Sequence, residues 1–470
     1  MINIKTMLID GMPLIGTGEP FSVINPATED IICQCNMAST EQLDQAVAAA
    51  KRAYSTWRQT PDAERKRLLH EIADHLEQHA DELASIIVQE QGKPLALAQI
   101  EVGAAVGWTR YTAELDIPEQ VFENSDTRYT TAHRKPLGVV ASITPWNWPL
   151  MIAIWHIMPA LRAGNTVVSK PSGLTPLNTL RLVQIINEVL PKGVVNVVLG
   201  EADIGNAISR HIDINKVIFT GSTPTGQRIL SNSANTLKRL TLELGGNDAA
   251  IVLPDTDINQ VAESIFNTAF LNMGQTCAAI KRLYVHESQY EEMGKALADL
   301  ASQQVVGNGL NPATTFGPVQ NARQYRLVSE LVEDARRNGG HIICGGEASS
   351  EPGYFYPPTI VSNVSKGVRL VDEEQFGPVL PLISYSEIDE AVRMANSCEY
   401  GLGGSVWGSD LELAEMVACQ LECGTVWINK HAEVLPHIPF GGCKLSGVGV
   451  EFGVEGLLEY TQLQVINRHK

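Results

Sequence analysis

A chain of 470 residues exceeds what one small core organises, so two domains are expected and three are allowed. Hydrophobic residues make up 44% and charged residues 19%, an ordinary globular balance with enough apolar material for a buried core. The formal net charge of −18 argues against nucleic acid or an anionic membrane as partner, without bearing on the fold.

The N-terminal stretch Met1–Leu8 is short and mixed, unlike a signal peptide, and no apolar run approaches the roughly 18 residues that span a bilayer. Ser39 with Gln42 forms a capping box before Leu43, Ala46, Val47, Ala50 and Tyr54, which predicts a helix. Thr60-Pro61 opens a second helix whose stripe runs through Leu68, Leu69, Ile72, Leu76, Leu83 and Ile87. Gly92, with Pro94 beyond it, closes that helix. The polar segment Asp126–Lys135, with alternating Tyr129 and His133, reads as a projecting hairpin, and Glu459–Ile466 alternates like a strand; both suit pairing with another subunit.

From Gly138 onward short apolar runs recur at Gly138–Ile143, Thr166–Ser169, Val194–Val198 and Val217–Phe219, each followed by a turn and a helix-like segment. That rhythm predicts a doubly wound α/β layer with a parallel sheet. After Glu243-Leu-Gly-Gly246 it restarts with Ala249–Leu253 and Leu283–Val285, a second α/β domain. Such sheets bind ligands beyond the carboxyl ends of their strands, so the loops there hold the candidate residues.

Four loops stand out. Thr144-Pro-Trp-Asn-Trp-Pro149 fixes Asn147 rigidly, either to donate to a developing oxyanion or to cap the helix starting near Pro149. Asn165–Ser172 puts Lys170 and Ser172 just past a strand, as ligands to a ribose or phosphate or as a solvated charge. Phe219-Thr-Gly-Ser-Thr-Pro-Thr-Gly226 reads as a strand, a turn with Gly221 and Ser222, and a helix N-terminus, which makes an anion site or a plain βα turn. Finally, Glu243 is paired with Asn272-Met-Gly-Gln-Thr-Cys277, where Gly274 permits close backbone approach. Cys277 is expected to open a new helix, a position that lowers a thiol pKa, or else to be a small buried hydrophobe. The eight cysteines are scattered singly without a CxxC pair, which fits reduced thiols in a cytoplasmic protein and no metal site.

Taken in this order, and with Glu373-Glu-Gln-Phe-Gly-Pro-Val379, Asn429, Pro439-Phe-Gly-Gly442, Lys444 and Ser446-Gly447, these motifs resemble the aldehyde dehydrogenase superfamily nearly end to end. The resemblance implies NAD or NADP as cofactor and oxidation of an aldehyde to its acid. It implies Cys277 as nucleophile, Asn147 as oxyanion donor and Glu243 as the base that activates water. Lys170 would bond the adenosine ribose and Ser222 a phosphate, with Ser172, Gly221 and Gly226 also among the cofactor-binding residues. Glu374 would meet the nicotinamide ribose, and Thr144, Trp146, Leu244 and Phe376 would line the cofactor cleft. Glu243 also makes the chain look acid-forming rather than CoA-acylating.

The resemblance further implies a dinucleotide-binding domain over 1–117 and 138–243 and a catalytic domain over 244–445. An oligomerisation hairpin and tail would occupy 118–137 and 459–470, with 446–458 returning to the first domain. Ile152, Trp155 and Phe440 would line the substrate tunnel beside Lys430–His437. These apolar and aromatic walls, with no arginine between Asn429 and Phe440, lean toward a neutral, hydrophobic or aromatic aldehyde. A homodimer or homotetramer is implied. Alternatives are a thiol esterase working through Cys277 and a nucleotide-binding protein without catalysis.

Three positions depart from the family pattern. Gly173 stands where many members have a glutamate that repels a 2′-phosphate, which makes NADP admissible. His156 replaces a frequent lysine and is, with Glu451, a candidate proton relay, or else simply packs on its helix. Asn247-Asp248 replaces the commoner lysine and serine or proline, a change with no account at the level of sequence.

Overall fold

The computed structural model describes residues 4–470, so the first three residues of the expected 1–117 segment lie outside it. Four helices precede the parallel strands of the main sheet: α1 (Thr40–Trp57), α2 (Asp62–Gln78), α3 (Ala80–Gln91) and α4 (Leu95–Glu114). The capping box forms as expected, with Ser39 Oγ accepting from the Gln42 N–H. The single helix expected from Thr60 to Gly92 is two. His79 leaves helical geometry at φ −101° and ψ 15°, and its ring is engaged sideways by Glu82 and Arg181. Leu68, Leu69, Ile72 and Leu76 on one segment and Leu83 and Ile87 on the other still bury the same stripe. Gly92 closes α3 at φ 98°, a left-handed conformation that glycine adopts without Cβ strain.

The central sheet has eight strands in the order Met12–Leu14, Met7–Ile9, Val195–Val197, Thr166–Lys170, Val139–Ile143, Lys216–Thr220, Arg239–Glu243, Gly447–Val448. The five strands between Val195–Val197 and Arg239–Glu243 run parallel, with antiparallel strands at both edges. Every residue of Val139–Ile143, Thr166–Lys170 and Lys216–Thr220 is buried, because helices cover both faces of the sheet. Those helices are α5 (Pro149–Arg162), α6 (Leu177–Val189), α7 (Ala202–Arg210) and α8 (Thr223–Ser233). From Val139–Ile143 the chain winds outward through Thr166–Lys170 to Val195–Val197, then crosses back to Lys216–Thr220 on the other side. The loops after Ile143 and Thr220 therefore flank the point where strand order reverses, the crevice where doubly wound sheets take their ligands.

The second sheet has seven strands in the order His341–Cys344, Thr359–Ser362, Val379–Tyr385, Arg282–His286, Ala249–Val252, Gly403–Trp407, Thr425–Ile428, all parallel except the first. A three-stranded antiparallel sheet carries the hairpin Gln120–Asn124 and Arg128–Pro136 against the tail strand Thr461–His469. The hairpin turns at Ser125, where Asp126 had been expected to begin it, and Gln120–Asn124 is its first arm. Among the described residues no helix is long and apolar enough to cross a membrane.

Candidate active site

The strand Val139–Ile143 delivers the Thr144–Trp148 loop into the crevice, and buried charge holds that loop. Lys93 and Glu101, both fully buried, pair at 2.6 Å. The Lys93 ammonium also lies 3.5 Å over the Trp148 ring and donates to the Asn147 carbonyl at 3.0 Å. Glu101 accepts from the Leu150 and Met151 N–H groups at 3.0 and 3.2 Å, and so caps α5. Asn147 is therefore not the cap that one sequence reading allowed. Its Nδ2 donates to the Gln275 carbonyl at 2.9 Å, and its carbonyl accepts from Asn272 Nδ2 at 2.9 Å. Trp148 Nε1 donates to Thr276 Oγ1 at 3.0 Å, so the Asn147 loop and the cysteine loop are locked together. Thr144 is buried at the root of the loop, and Trp146 meets Phe376 edge-on at 5.4 Å.

The cysteine loop turns through three left-handed residues, Asn272, Met273 and Gly274, at φ 52°, 61° and 68°. A Cβ on Gly274 would run into the Gly377 carbonyl, so this position requires glycine. Gln275 Oε1 accepts from the Gln320 N–H at 2.8 Å, which fixes the turn from beneath. No helix begins at Cys277, contrary to expectation; irregular backbone leads directly into Arg282–His286. Nor is the thiol pKa lowered. Burial pushes it up to about 12, with Glu243, Asp248 and Glu374 adding to the rise and the Ala278 backbone N–H opposing it. Without a helix N-terminus to favour the thiolate, desolvation and nearby carboxylates dominate. The side chain keeps partial solvent access although protein surrounds it closely.

Glu243 ends its strand beside this loop. It is 4% exposed, and neither carboxylate oxygen has a hydrogen-bond partner among the described residues. Burial raises its pKa well above the usual range, and the buried carboxylate of Glu451 raises it further. Glu451 is held by paired backbone hydrogen bonds with Phe440, and its Oε1 lies 3.3 Å from His156 Nε2. The fully buried His156 ring also sits 3.0 Å from Thr220 Oγ1 and 3.1 Å from Ser142 Oγ. The structure thus brings His156 and Glu451 together in direct contact.

Around the strand ends lie the remaining expected residues. Lys170 is buried rather than solvated, and donates to the Gly200 carbonyl at 2.8 Å and the Pro171 carbonyl at 3.1 Å. Burial lowers its pKa to about 8 against a raising effect of Glu201. Ser172 is half-buried, and Ser222 is exposed at the N-cap of α8, whose first turn has no side-chain cap. A Cβ on Gly226 would collide with Leu244, so α8 packs closely on the segment after Glu243. Gly221 lies against the Phe219 ring. Glu374 accepts from the Gly246 N–H at 3.2 Å, and burial raises its carboxyl to about 7. Phe376 holds a left-handed φ of 43° with Lys281 Nζ 4.9 Å over its ring. Uncapped helix N–H groups at Ser222, a buried lysine with one N–H unspent and a carboxylate at Gly246 together fit a dinucleotide laid across the crevice.

On the opposite side, Phe440 packs with Ala278, Leu402 and the partly buried Cys277, Trp427 and Phe452. Trp155 meets Phe452 at 4.8 Å and Trp108 at 5.8 Å, while Ile152 lies buried one turn earlier on α5. Trp108 and Phe452 escape the sequence reading: Trp108 lies on α4, which that reading does not single out, and Phe452 lies in the segment read only as a return to the first domain. The Asn247-Asp248 departure now has a physical account. Asn247 donates to the Val371 carbonyl at 3.0 Å and its own carbonyl accepts from Arg282 at 2.9 Å. Asp248 accepts from the Gly403 N–H at 3.1 Å and faces buried His431 at 3.5 Å, so the pair ties the start of the second sheet to the loop after Asn429. Among the described residues no cluster of three or more His, Cys, Asp or Glu is arranged to hold a metal ion.

Residues 15–466 match the profile of the aldehyde dehydrogenase family. Phenylacetaldehyde dehydrogenase of Pseudomonas fluorescens is 42% identical over 460 residues, covering 94% of this chain and 91% of that protein. Human aldehyde dehydrogenase 1A1 is 38% identical over 459 residues, covering 96% and 92%. The crystal structure of betaine aldehyde dehydrogenase from Staphylococcus aureus in complex with NAD+ superposes with a TM-score of 0.95 at 33% identity, over 98% of this chain and 94% of that one. Fold, strand-end loops and relatives agree: this chain belongs to the aldehyde dehydrogenase family, and its chemistry is the NAD(P)-dependent oxidation of an aldehyde.

Proposed function

We propose that Cys277 is the nucleophile, Asn147 the oxyanion donor and Glu243 the general base of an acid-forming reaction. The observation that carries this is the meeting of three loops. Cys277 lies beside a buried Glu243 whose two oxygens are unspent, and beside an Asn147 amide that has used one of its two N–H groups. Attack of the Cys277 sulfur on the aldehyde carbon forms a thiohemiacetal. Its oxyanion is received by Asn147 Nδ2 and the Cys277 backbone N–H, and loss of either donor costs about 10²–10³ in rate. NAD or NADP, when bound, accepts the hydride that leaves this carbon, so the acyl group remains on sulfur as a thioester. Glu243 then takes a proton from water, the hydroxyl adds to the thioester carbon, and the acid departs as the thiol reforms. A carboxylate with a raised pKa is a stronger base, which suits Glu243 to taking the proton from water.

Lys170, Ser172, Gly221, Ser222, Gly226, Leu244, Glu374, Phe376, Thr144 and Trp146 form the cofactor cleft in this reading. The dinucleotide-binding part spans 1–117 and 138–243, the catalytic part 244–445, and 446–458 returns to the first. His156 and Glu451 relay the Glu243 proton, supported by their 3.3 Å contact. Ile152, Trp155 and Phe440 line the aldehyde tunnel, and the aromatic ring cluster with Trp108 and Phe452 favours a neutral, hydrophobic or aromatic aldehyde. The likeness to phenylacetaldehyde dehydrogenase supports the same class. Exposed Val121, Phe122, Leu463, Val465 and Ile466 on the hairpin and tail sheet support a homodimer or homotetramer through 118–137 and 459–470. Eight free thiols support a cytoplasmic setting.

The test is a panel of aliphatic, aromatic and acidic aldehydes with NAD and with NADP, read as reduced-nicotinamide absorbance, for the wild type and Cys277→Ala. Aldehyde-dependent reduction that vanishes in the variant is the expected result, with kcat/KM highest for aromatic aldehydes. Undiminished reduction by Cys277→Ala would remove the cysteine from the role assigned here.

A further inference from the structure

Gly173 lies at the turn after Lys170, and a Cβ there would overlap Glu201 Oε1 outright, with Phe21 at 3.6 Å on the other side. The space a side chain at 173 would take is thus already filled by a carboxylate from elsewhere in the chain. Glu201 stands at the N-cap of α7, but its side chain makes no capping hydrogen bond. Among the described residues that carboxylate has no hydrogen bond and no ion pair, and Glu201 is exposed. Its position is set by its neighbours. Lys170 Nζ donates to the carbonyl of Gly200, the residue before it, and the Lys170 stem passes 3.9 Å from where a Cβ on Gly205 of α7 would lie.

We propose that Glu201, reaching from the start of α7 into the space that Gly173 leaves, receives the adenosine-ribose hydroxyls of the dinucleotide and makes this enzyme prefer NAD to NADP. The inference rests on the reading of Lys170 as the ribose ligand. Lys170 has spent two of its three N–H groups on carbonyls, one of them that of Gly200 next to Glu201, which leaves one donor free beside the Glu201 acceptors. A diol with two O–H donors satisfies both groups together. A 2′-phosphate removes one donor and sets a dianion beside an unpaired carboxylate, a repulsion that at a partly exposed site corresponds to about tenfold in affinity or more. The carboxylate absent from position 173 is therefore restored from a different element, and the glycine is what admits it.

The test is the dissociation constants of NAD and NADP, measured by isothermal titration calorimetry without aldehyde. Four proteins are compared: wild type, Glu201→Gln, Lys170→Met, and the relocated carboxylate Gly173→Glu with Glu201→Ala. Glu201 is exposed, so its substitution spares the fold, and Gly173 does not hold a left-handed φ. Wild type is expected to bind NAD about tenfold more tightly or better. Glu201→Gln is expected to narrow that ratio by about the same factor, chiefly by tightening NADP, and the double variant to restore it. An unchanged ratio in Glu201→Gln, while Lys170→Met weakens both nucleotides, would overturn the role of Glu201 alone. Unchanged affinities in Lys170→Met would instead overturn the ribose reading on which it stands.

Discussion

Two buried charged regions flank the Asn147 loop, and they are built on opposite rules. Behind the loop, Lys93 and Glu101 face each other at 2.6 Å, and their remaining atoms meet a carbonyl, an indole face and two helix N–H groups. In front of it, Glu243 and Glu451 share a buried space with no lysine or arginine bridging them; His156 touches only Glu451, and Glu243 has no hydrogen bond at all among the described residues. The first region is satisfied, so its charge holds shape. The second is unsatisfied, so its charge is costly when present and a proton moves there readily. A buried carboxylate is evidence for chemistry only when its neighbours leave it unspent.

Glu243→Gln probes that contrast most strongly. Turnover is expected to fall by about 10²–10⁴, with acyl-enzyme accumulating as a burst of reduced nicotinamide. The melting temperature should hold or rise, since a poorly solvated carboxyl is replaced by a neutral amide. A large drop in melting temperature would place Glu243 among the structural charges instead. Lys93→Met makes the complementary break. It strands Glu101 in the core, and an uncompensated buried partner costs about 3–5 kcal/mol, readable as a lower urea midpoint. A merely catalytic loss at unchanged stability would erase the distinction between the two regions.

The pH dependence of Cys277 alkylation sharpens the comparison further. With the thiol pushed up to about 12, the thiolate fraction grows with every step of pH across the accessible range. Inactivation of the free enzyme by iodoacetamide should therefore rise through pH 8–10 without a plateau (roughly tenfold per unit for a single ionisation). After burial, Glu243 is the largest contributor to that rise, so Glu243→Gln should move the curve to lower pH. A plateau below about pH 8 in the wild type would mean that the resting thiol is activated after all.

Much of the site is written locally. Asn147 lies between two tryptophans and two prolines, Cys277 follows Gly274, and Glu243 precedes two glycines, so each loop is legible by itself. The parallel strands were legible for a related reason: buried on both faces, they read as unbroken apolar runs. What stayed hidden is what joins distant segments. Lys93 follows the end of a predicted helix and Glu101 lies on α4, for which the sequence reading gives no role, and nothing in their spacing indicates that they enclose Trp148 and cap α5. Asp248, just before the strand Ala249–Val252, and His431, beyond the strand Thr425–Ile428, meet at 3.5 Å although no motif or spacing links them. The Cys277 expectation failed through backbone geometry. Three left-handed residues before it turn the chain away from a helix, and such a turn leaves only a single glycine as its mark in the sequence.

The smallest predicted effect concerns His156, which stands between the two kinds of region. Its ring is as well partnered as Lys93, by Ser142 and Thr220, yet it also touches Glu451 from the unsatisfied side. If it only packs, His156→Gln should preserve turnover, because an amide reaches the same hydroxyls, and His156→Ala should lower stability alone. If it passes protons, both variants should lose up to about 10²-fold in kcat with KM unchanged. Added small-molecule buffer should then restore part of that rate, because a diffusing acid–base pair does the work of a missing relay group. Stability and buffer dependence are separate readouts, and a structural histidine moves only the first. A kcat in His156→Ala that falls and then climbs with imidazole concentration assigns this residue to the unsatisfied region, and a flat response returns it to the satisfied one.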